Sequence, residues 1–169
     1  MKTAGILLAI VVTLALQTTL SRFIMGGMVG IDLVLVVVVY AALTSGAVTG
    51  LLSGAAAGLA QDALASGVIG IGGLAKTVVG FLAGIVGTQL IVVQPIPRFV
   101  VFFGATVLHA LIFMGLYVLL DVRQFGTPYG AVAGQALGNA VIGVVAFQLV
   151  ELLPGAVARR RAQKARIRR

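Results

Sequence analysis

From residue 4 to residue 152 the chain is a succession of long apolar runs in which charges are scarce. A water-soluble domain could not cover such runs. Of the 169 residues, 60% are hydrophobic and 9% charged, against roughly 45 to 50% apolar in a soluble domain, and mean hydropathy is +1.18. An integral membrane protein is therefore expected. Transmembrane strands would alternate apolar and polar positions over segments of roughly ten residues; the unbroken runs here point to an all-α bundle instead. With no cysteine in the chain, disulfides and thiolate metal sites are excluded.

The pattern predicts six transmembrane helices, at about 4–20, 33–43, 46–65, 74–93, 99–120 and 130–152. The first follows Met1 and Lys2 like a signal peptide. It continues too long, without a clean small-residue cleavage site before Arg22, and reads as a retained span. The second, opened by Asp32, covers only about 21 Å from Ile31 to Thr44, short of the ~30 Å hydrocarbon core. It should thin the bilayer or stop partway. Thr44, Ser45 and Gly46 are expected to turn the chain, and residues 66–73 to form a Gly-rich loop. Pro95 and Pro97 should break the pattern before the fifth span, and Pro154 with Gly155 should end the sixth. The expected organisation is a transmembrane domain over 1–155 and a basic cytoplasmic tail over 156–169.

Seven of the eleven residues in 159–169 are basic, and such clusters stay cytoplasmic. An even number of spans then places Lys2 and Arg98 on the same side. The opposite loops carry Arg22, Asp32, Asp62, Lys76, Asp121 and Arg123. The tail is read as a topology anchor on anionic lipid rather than as a nucleic-acid contact.

Two glycine rows should decide how the helices meet. Gly46, Gly50, Gly54, Gly58 and Asp62 recur every fourth residue on the third helix, and Gly72, Lys76, Gly80, Gly84 and Thr88 do so on the fourth. Helices in lipid associate by close van der Waals contact, so the rows read as mates in an antiparallel hairpin. The hairpin is expected to bring Asp62 and Lys76 together at its outer end. Gly130, Gly134 and Gly138 repeat the spacing on the sixth helix, as a close-packing face or an outward docking face.

Chemistry is sparse. His109 is the only histidine and has no second ligand in its neighbourhood of sequence, so a hydrogen bond inside the bundle is its expected role. Gln17, Gln61, Gln89, Gln135, Asn139 and Gln148 read as interhelical glue. No phosphate loop fits Gly72 and Gly73, because no strand precedes them. No nucleophile, metal site or cofactor site is expected. Asp32, Asp62 and Lys76, with Arg22, should gather as a polar cluster, either a solute pocket or an ion-pair cluster fixing helix register.

The first half of the chain resembles the MreD family of bacterial rod-shape-determining membrane proteins. The resemblance rests on Leu16-Gln17 closing the first span, Asp32-Leu33 opening a short second one, and the Gly50/Gly54/Gly58 row ending in Gln61-Asp62. The Ser66-Gly67-x-x-Gly70 loop and the run from Ala75 and Lys76 to Gly84 complete it, with Ile31 where the family usually has proline. The resemblance implies a six-helix bundle similar to the substrate-binding S-components of energy-coupling-factor vitamin transporters. It further implies no catalysis, and membership of the inner-membrane elongation complex that makes peptidoglycan, with MreC, MreB, RodA and a class B penicillin-binding transpeptidase. The alternative is a solute-binding subunit of a vitamin-type transporter.

Overall fold

A computed structural model describes residues 2–23, 30–65, 68–89, 94–122 and 129–167, with the side chains of the first helix given over 4–19 and those of the last up to Leu152. Among the described residues six helices follow one another: α1 Lys2–Phe23, α2 Leu33–Ser45, α3 Ala47–Leu64, α4 Ile71–Gln89, α5 Pro95–Leu119 and α6 Tyr129–Ile167. Three stretches, Ile71–Gln89, Pro95–Leu119 and Tyr129–Leu152, are long and apolar enough to cross a membrane, and Ala4–Thr19 and Leu33–Ser45 are shorter apolar helices.

The short helix α2 is the axis of the bundle. Its sequence, LVLVVVVYAALTS, has no polar face, and a helix apolar all round belongs in an interior. Among the described helices it alone touches all five others, and Val34, Val38, Ala41 and Ala42 have no exposed surface. One side packs on Ile10 and Leu14 of α1 and Ala57 of α3. On the other, Leu35, Val36 and Val39 pack with Phe102, Ala105, Ala140 and Phe147 of α5 and α6. Valine is a poor helix former, but the Asp32 side chain caps the first turn by accepting from the Leu35 N–H at 2.9 Å.

A single residue turns α2 into α3. Gly46 is at once the C-cap of α2 and the N-cap of α3, with φ +90°, a conformation that disfavours any side chain. The α3–α4 hairpin then closes through glycine. A Cβ on Gly50 would run into the Gly80 carbonyl, one on Gly54 into the Lys76 carbonyl, one on Gly58 into Gly73 Cα at 2.6 Å, and one on Gly84 into Ala47. The two backbones touch in antiparallel order along the whole row.

Several boundaries differ from expectation. The segment 66–73 is not a loop throughout: α4 starts at Ile71, so Gly72 and Gly73 are helical, and the turn before them uses Gly70 at φ +105°. Pro95 and Pro97 do not precede α5 but open it, because a first-turn proline loses no helical hydrogen bond. Nor does Pro154 end α6, which continues to Ile167. One missing donor is outweighed there by a run of strong helix formers, Ala156 to Arg166 being mostly Ala, Arg, Gln and Lys. The expected 156–169 tail is thus largely a helical extension. The expected connections over 24–29, Ser66 with Gly67, and Arg123 with Pro128 lie outside the described residues, as do the Arg22 side chain and those of the basic cluster.

Candidate functional site

Asp32 lies just before α2, and α2 is too short to run the length of the bundle, so the carboxylate enters the interior. There it meets Lys76, whose Nζ is 2.8 Å from Asp32 Oδ2, with both side chains almost fully buried. The same Nζ is 3.2 Å from His109 Nε2 on α5. A lysine ammonium has only donors, so His109 Nε2 accepts and the ring proton sits on Nδ1. The imidazole stacks on Phe113, centroids 5.9 Å apart.

The network continues through neutral groups. The Asp32 N–H donates to Asn139 Oδ1 at 3.0 Å, Asn139 Nδ2 donates to Thr106 Oγ1 at 3.2 Å, and the Thr106 hydroxyl donates to the Phe102 carbonyl at 2.9 Å. From α1, Gln17 Nε2 donates to the Ile31 carbonyl at 2.7 Å, and its Oε1 accepts from the Leu33 N–H at 3.0 Å. Side chains of α1, α4, α5 and α6 thus converge on the start of α2. Gly54 gives the cluster its place, since α3 lies directly on the backbone of Lys76.

Asp62 is not the partner of Lys76. The glycine contacts set Gly54 opposite Lys76, and Asp62 is two turns further on, about 12 Å along the axis. Its Oδ2 accepts instead from the Gly70 and Gly73 N–H groups, at 2.9 Å each, and so caps α4. A Cβ on Gly72 would strike the Asp62 carboxylate, so a side chain there would have to displace this cap. The expected triad Asp32, Asp62 and Lys76 therefore divides into a buried ion pair and a helix cap.

Helix α6 also differs from expectation. No described atom comes within 4 Å of where a Cβ on Gly130 would stand, because this glycine is in the first turn, beyond its neighbours. Gly134 is half-buried. Gly138 faces Ile31, with Cγ1 3.3 Å from its Cβ position, so Gly130 and Gly138 do not share one packing contact. The tight contact is at Gly143, where a Cβ would be 2.6 Å from the Phe102 ring. Gly143 is outside the four-residue row, and only the bulk of Phe102 on the facing helix marks it.

A second ion pair closes the other end. Arg98 Nη1 and Nη2 donate to Glu151 Oε2 and Oε1 at 3.0 and 2.5 Å, and the guanidinium lies 4.4 Å from the Phe147 ring centroid. Sequence reasoning used Arg98 for orientation and passed over Glu151. The signal was present, in a lone glutamate at the end of the last apolar run and an arginine at the start of the run before it.

Chemically, the central cluster is an ion pair joined to neutral hydrogen-bonding groups. Ser53 and Thr106 donate their hydroxyls to main-chain carbonyls rather than to a base, and no group of three metal-ligating side chains occurs among the described residues. Among the described residues, the fold and site define an all-helical bundle with three membrane-length apolar helices and a buried Asp–Lys–His junction. No family model matches the chain, and neither does any curated protein or solved structure.

Proposed function

We propose that the chain is a non-enzymatic scaffold of the bacterial cell-wall elongation complex, held in the inner membrane by six helices with both termini cytoplasmic and docking MreC. The reading starts from the MreD resemblance of the first half. One observation carries it further: the buried Asp32, Lys76, His109 and Asn139 engage one another, while the surfaces left open among the described residues are apolar helix faces suited to lipid or to a partner's span. On this reading the Asp32–Lys76–His109 junction, about 16 Å along α5 from Arg98 and about 15 Å from Leu119, lies near the bilayer midplane. Its task there is to fix the register of the helices that present the docking surface.

A solute-binding subunit with the S-component arrangement would also draw on this junction. Two grooves among the described residues, one of about 290 Å3 between α1 and α2 and another of about 210 Å3 between α4 and α5, are lined by none of Asp32, Lys76 and His109, which favours the scaffold. Affinity purification from native membranes separates the two readings. MreC recovered with the tagged chain supports the scaffold; an ATPase module recovered in its place supports the transport subunit.

A further inference from the structure

The outer helices fall into two groups that meet loosely. Backbone contact through glycine joins α3 to α4 along the hairpin. Phe102 against Gly143, the Asn139–Thr106 hydrogen bond and the Arg98–Glu151 ion pair join α5 to α6. Between α4 and α5 an open groove runs past Val79, Leu82 and Val86 on one side and Val100, Gly104 and Leu108 on the other, and no atom lies within 4 Å of where a Cβ on Gly104 would stand. Among the described residues, the contact from Lys76 Nζ to His109 Nε2 is the one side-chain hydrogen bond that crosses from α4 to α5. It stands at the end of this groove, next to Val79 and Leu108.

Protonation of the ring and this contact exclude each other. Nε2 has one lone pair, and that lone pair accepts from the Lys76 ammonium. Because Nδ1 of the neutral ring already carries a proton, a further one can add at Nε2 alone. The imidazolium then has no acceptor for Lys76 and faces it as a second cation. Asp32 offsets one cation, since its Oδ2 holds Lys76 and its Oδ1 the Leu35 N–H. Among the described residues nothing else charged faces the ring. Helices α2 and α4 bring Asp32 and Lys76, α6 brings the neutral Asn139 to Thr106, and α1 and α3 do not touch α5. On α5 itself Arg98 is about 16 Å away along the axis, and Phe113 and Tyr117 follow on the other side. The histidine keeps 7% of its surface accessible, which gives a proton a way in.

We infer that the Lys76–His109 contact is a proton-controlled clasp: with a neutral imidazole it holds the α3–α4 hairpin against the α5–α6 pair, and uptake of one proton at His109 Nε2 releases Lys76 and parts the two groups along the α4–α5 groove. The inference rests on the register role given to the junction above and adds its control by pH. The clasp is closed above the titration of the imidazole and opens as pH falls through it.

His109 is the only histidine and the chain has no cysteine, so one ring and two engineered labels can be followed without interference. The full chain is purified in a neutral detergent without a histidine tag. Nitrogen-15 NMR of labelled histidine reads the ring, and spin labels at Val48→Cys on α3 and Val145→Cys on α6, both exposed, read the separation of the two groups by pulsed electron resonance. Over a titration from about pH 8 to about pH 4, the imidazolium signal and a lengthening of the label distance by about 2 Å should share one midpoint. His109→Gln, which keeps an acceptor for Lys76 and takes no proton, should hold its starting distance throughout. Lengthening in His109→Gln assigns the response to a carboxylate and overturns the clasp. A ring that protonates at constant distance, a distance that changes at a different midpoint, or a ring that stays neutral at constant distance also overturns it, and these three results come from the chain with His109 in place. Constant distance with strong coupling in the Asp32→Asn and Lys76→Met cycle removes the proton control alone. Additive losses in that cycle remove the register role, and the clasp with it.

Discussion

Removing the charge of Lys76 should cost more stability than removing it together with the charge of Asp32. At 2.8 Å the pair attracts by about 6 kcal/mol at an effective dielectric of about 20. Most of this offsets the desolvation of two charges that are nearly out of contact with solvent. Substituting one partner leaves the other charge buried, which typically costs about 3 to 5 kcal/mol. The substitutions that isolate this effect are Lys76→Met, which keeps the length of the side chain, and Asp32→Asn, which keeps an acceptor for the Leu35 N–H and so preserves the cap on α2. Each alone should destabilise by that amount, and the double substitution by about 1 to 2 kcal/mol. The coupling energy from the cycle should therefore be several kcal/mol and favourable to the pair. Unfolding of the purified chain in mixed micelles of increasing SDS content, followed by circular dichroism, would measure all four corners. Additive losses would refute the reasoning, since they would mean that neither charge depends on the other in the folded bundle. Asp62→Ala combined with Lys76→Met serves as the contrasting cycle and should be additive, because Asp62 binds the Gly70 and Gly73 amides instead.

Asp62→Ala by itself should cost about 1 to 2 kcal/mol in the same titration through loss of the α4 cap, and Asp62→Asn clearly less. Gly50→Ala drives a methyl into the Gly80 carbonyl and should lower stability by about 1 to 3 kcal/mol or more, whereas Gly130→Ala, with open space around it, should be neutral or stabilising by up to about 1 kcal/mol. Lys2→Cys and Ala165→Cys, introduced into this cysteine-free chain, should resist a membrane-impermeant thiol reagent in intact cells, and labelling of either would contradict the cytoplasmic termini. Gly134→Leu separates a docking face from a packing face: lost MreC recovery at normal monodisperse yield assigns this half-buried position to docking, and loss of both assigns it to the bundle.

The glycines were readable because their information is local. A four-residue spacing puts Gly50, Gly54 and Gly58 on one stripe whatever surrounds them, and close backbone approach is the common use of such a stripe. Which charges pair was not readable in the same way. That depends on the register of the hairpin, and one helical turn of slip exchanges partners: register places Lys76 beside Gly54, where Asp32 reaches it from a different helix. The central place of α2 is legible in its lack of any polar face, whereas its short length by itself points equally to bilayer mismatch. Asn139 stands out in the sequence as a polar residue in an apolar run, yet its partner is a main-chain N–H at Asp32, 107 residues earlier, and no sequence pattern specifies such a contact. The α5 boundary failed for a simpler reason, since proline breaks a helix interior and starts a helix equally well, and spacing alone does not say which.

The scaffold reading is tested most directly by producing the chain together with MreC alone, in a host depleted of its own elongation proteins, and passing the solubilised membranes over a sizing column. Co-elution of the two in one complex, retained by Lys2→Gln and lost when the bundle is disrupted by Gly50→Leu, is the predicted result. Separate elution of the two proteins, with the unmodified chain monodisperse and a small solute raising its melting temperature, would contradict the scaffold and leave the transport subunit in its place.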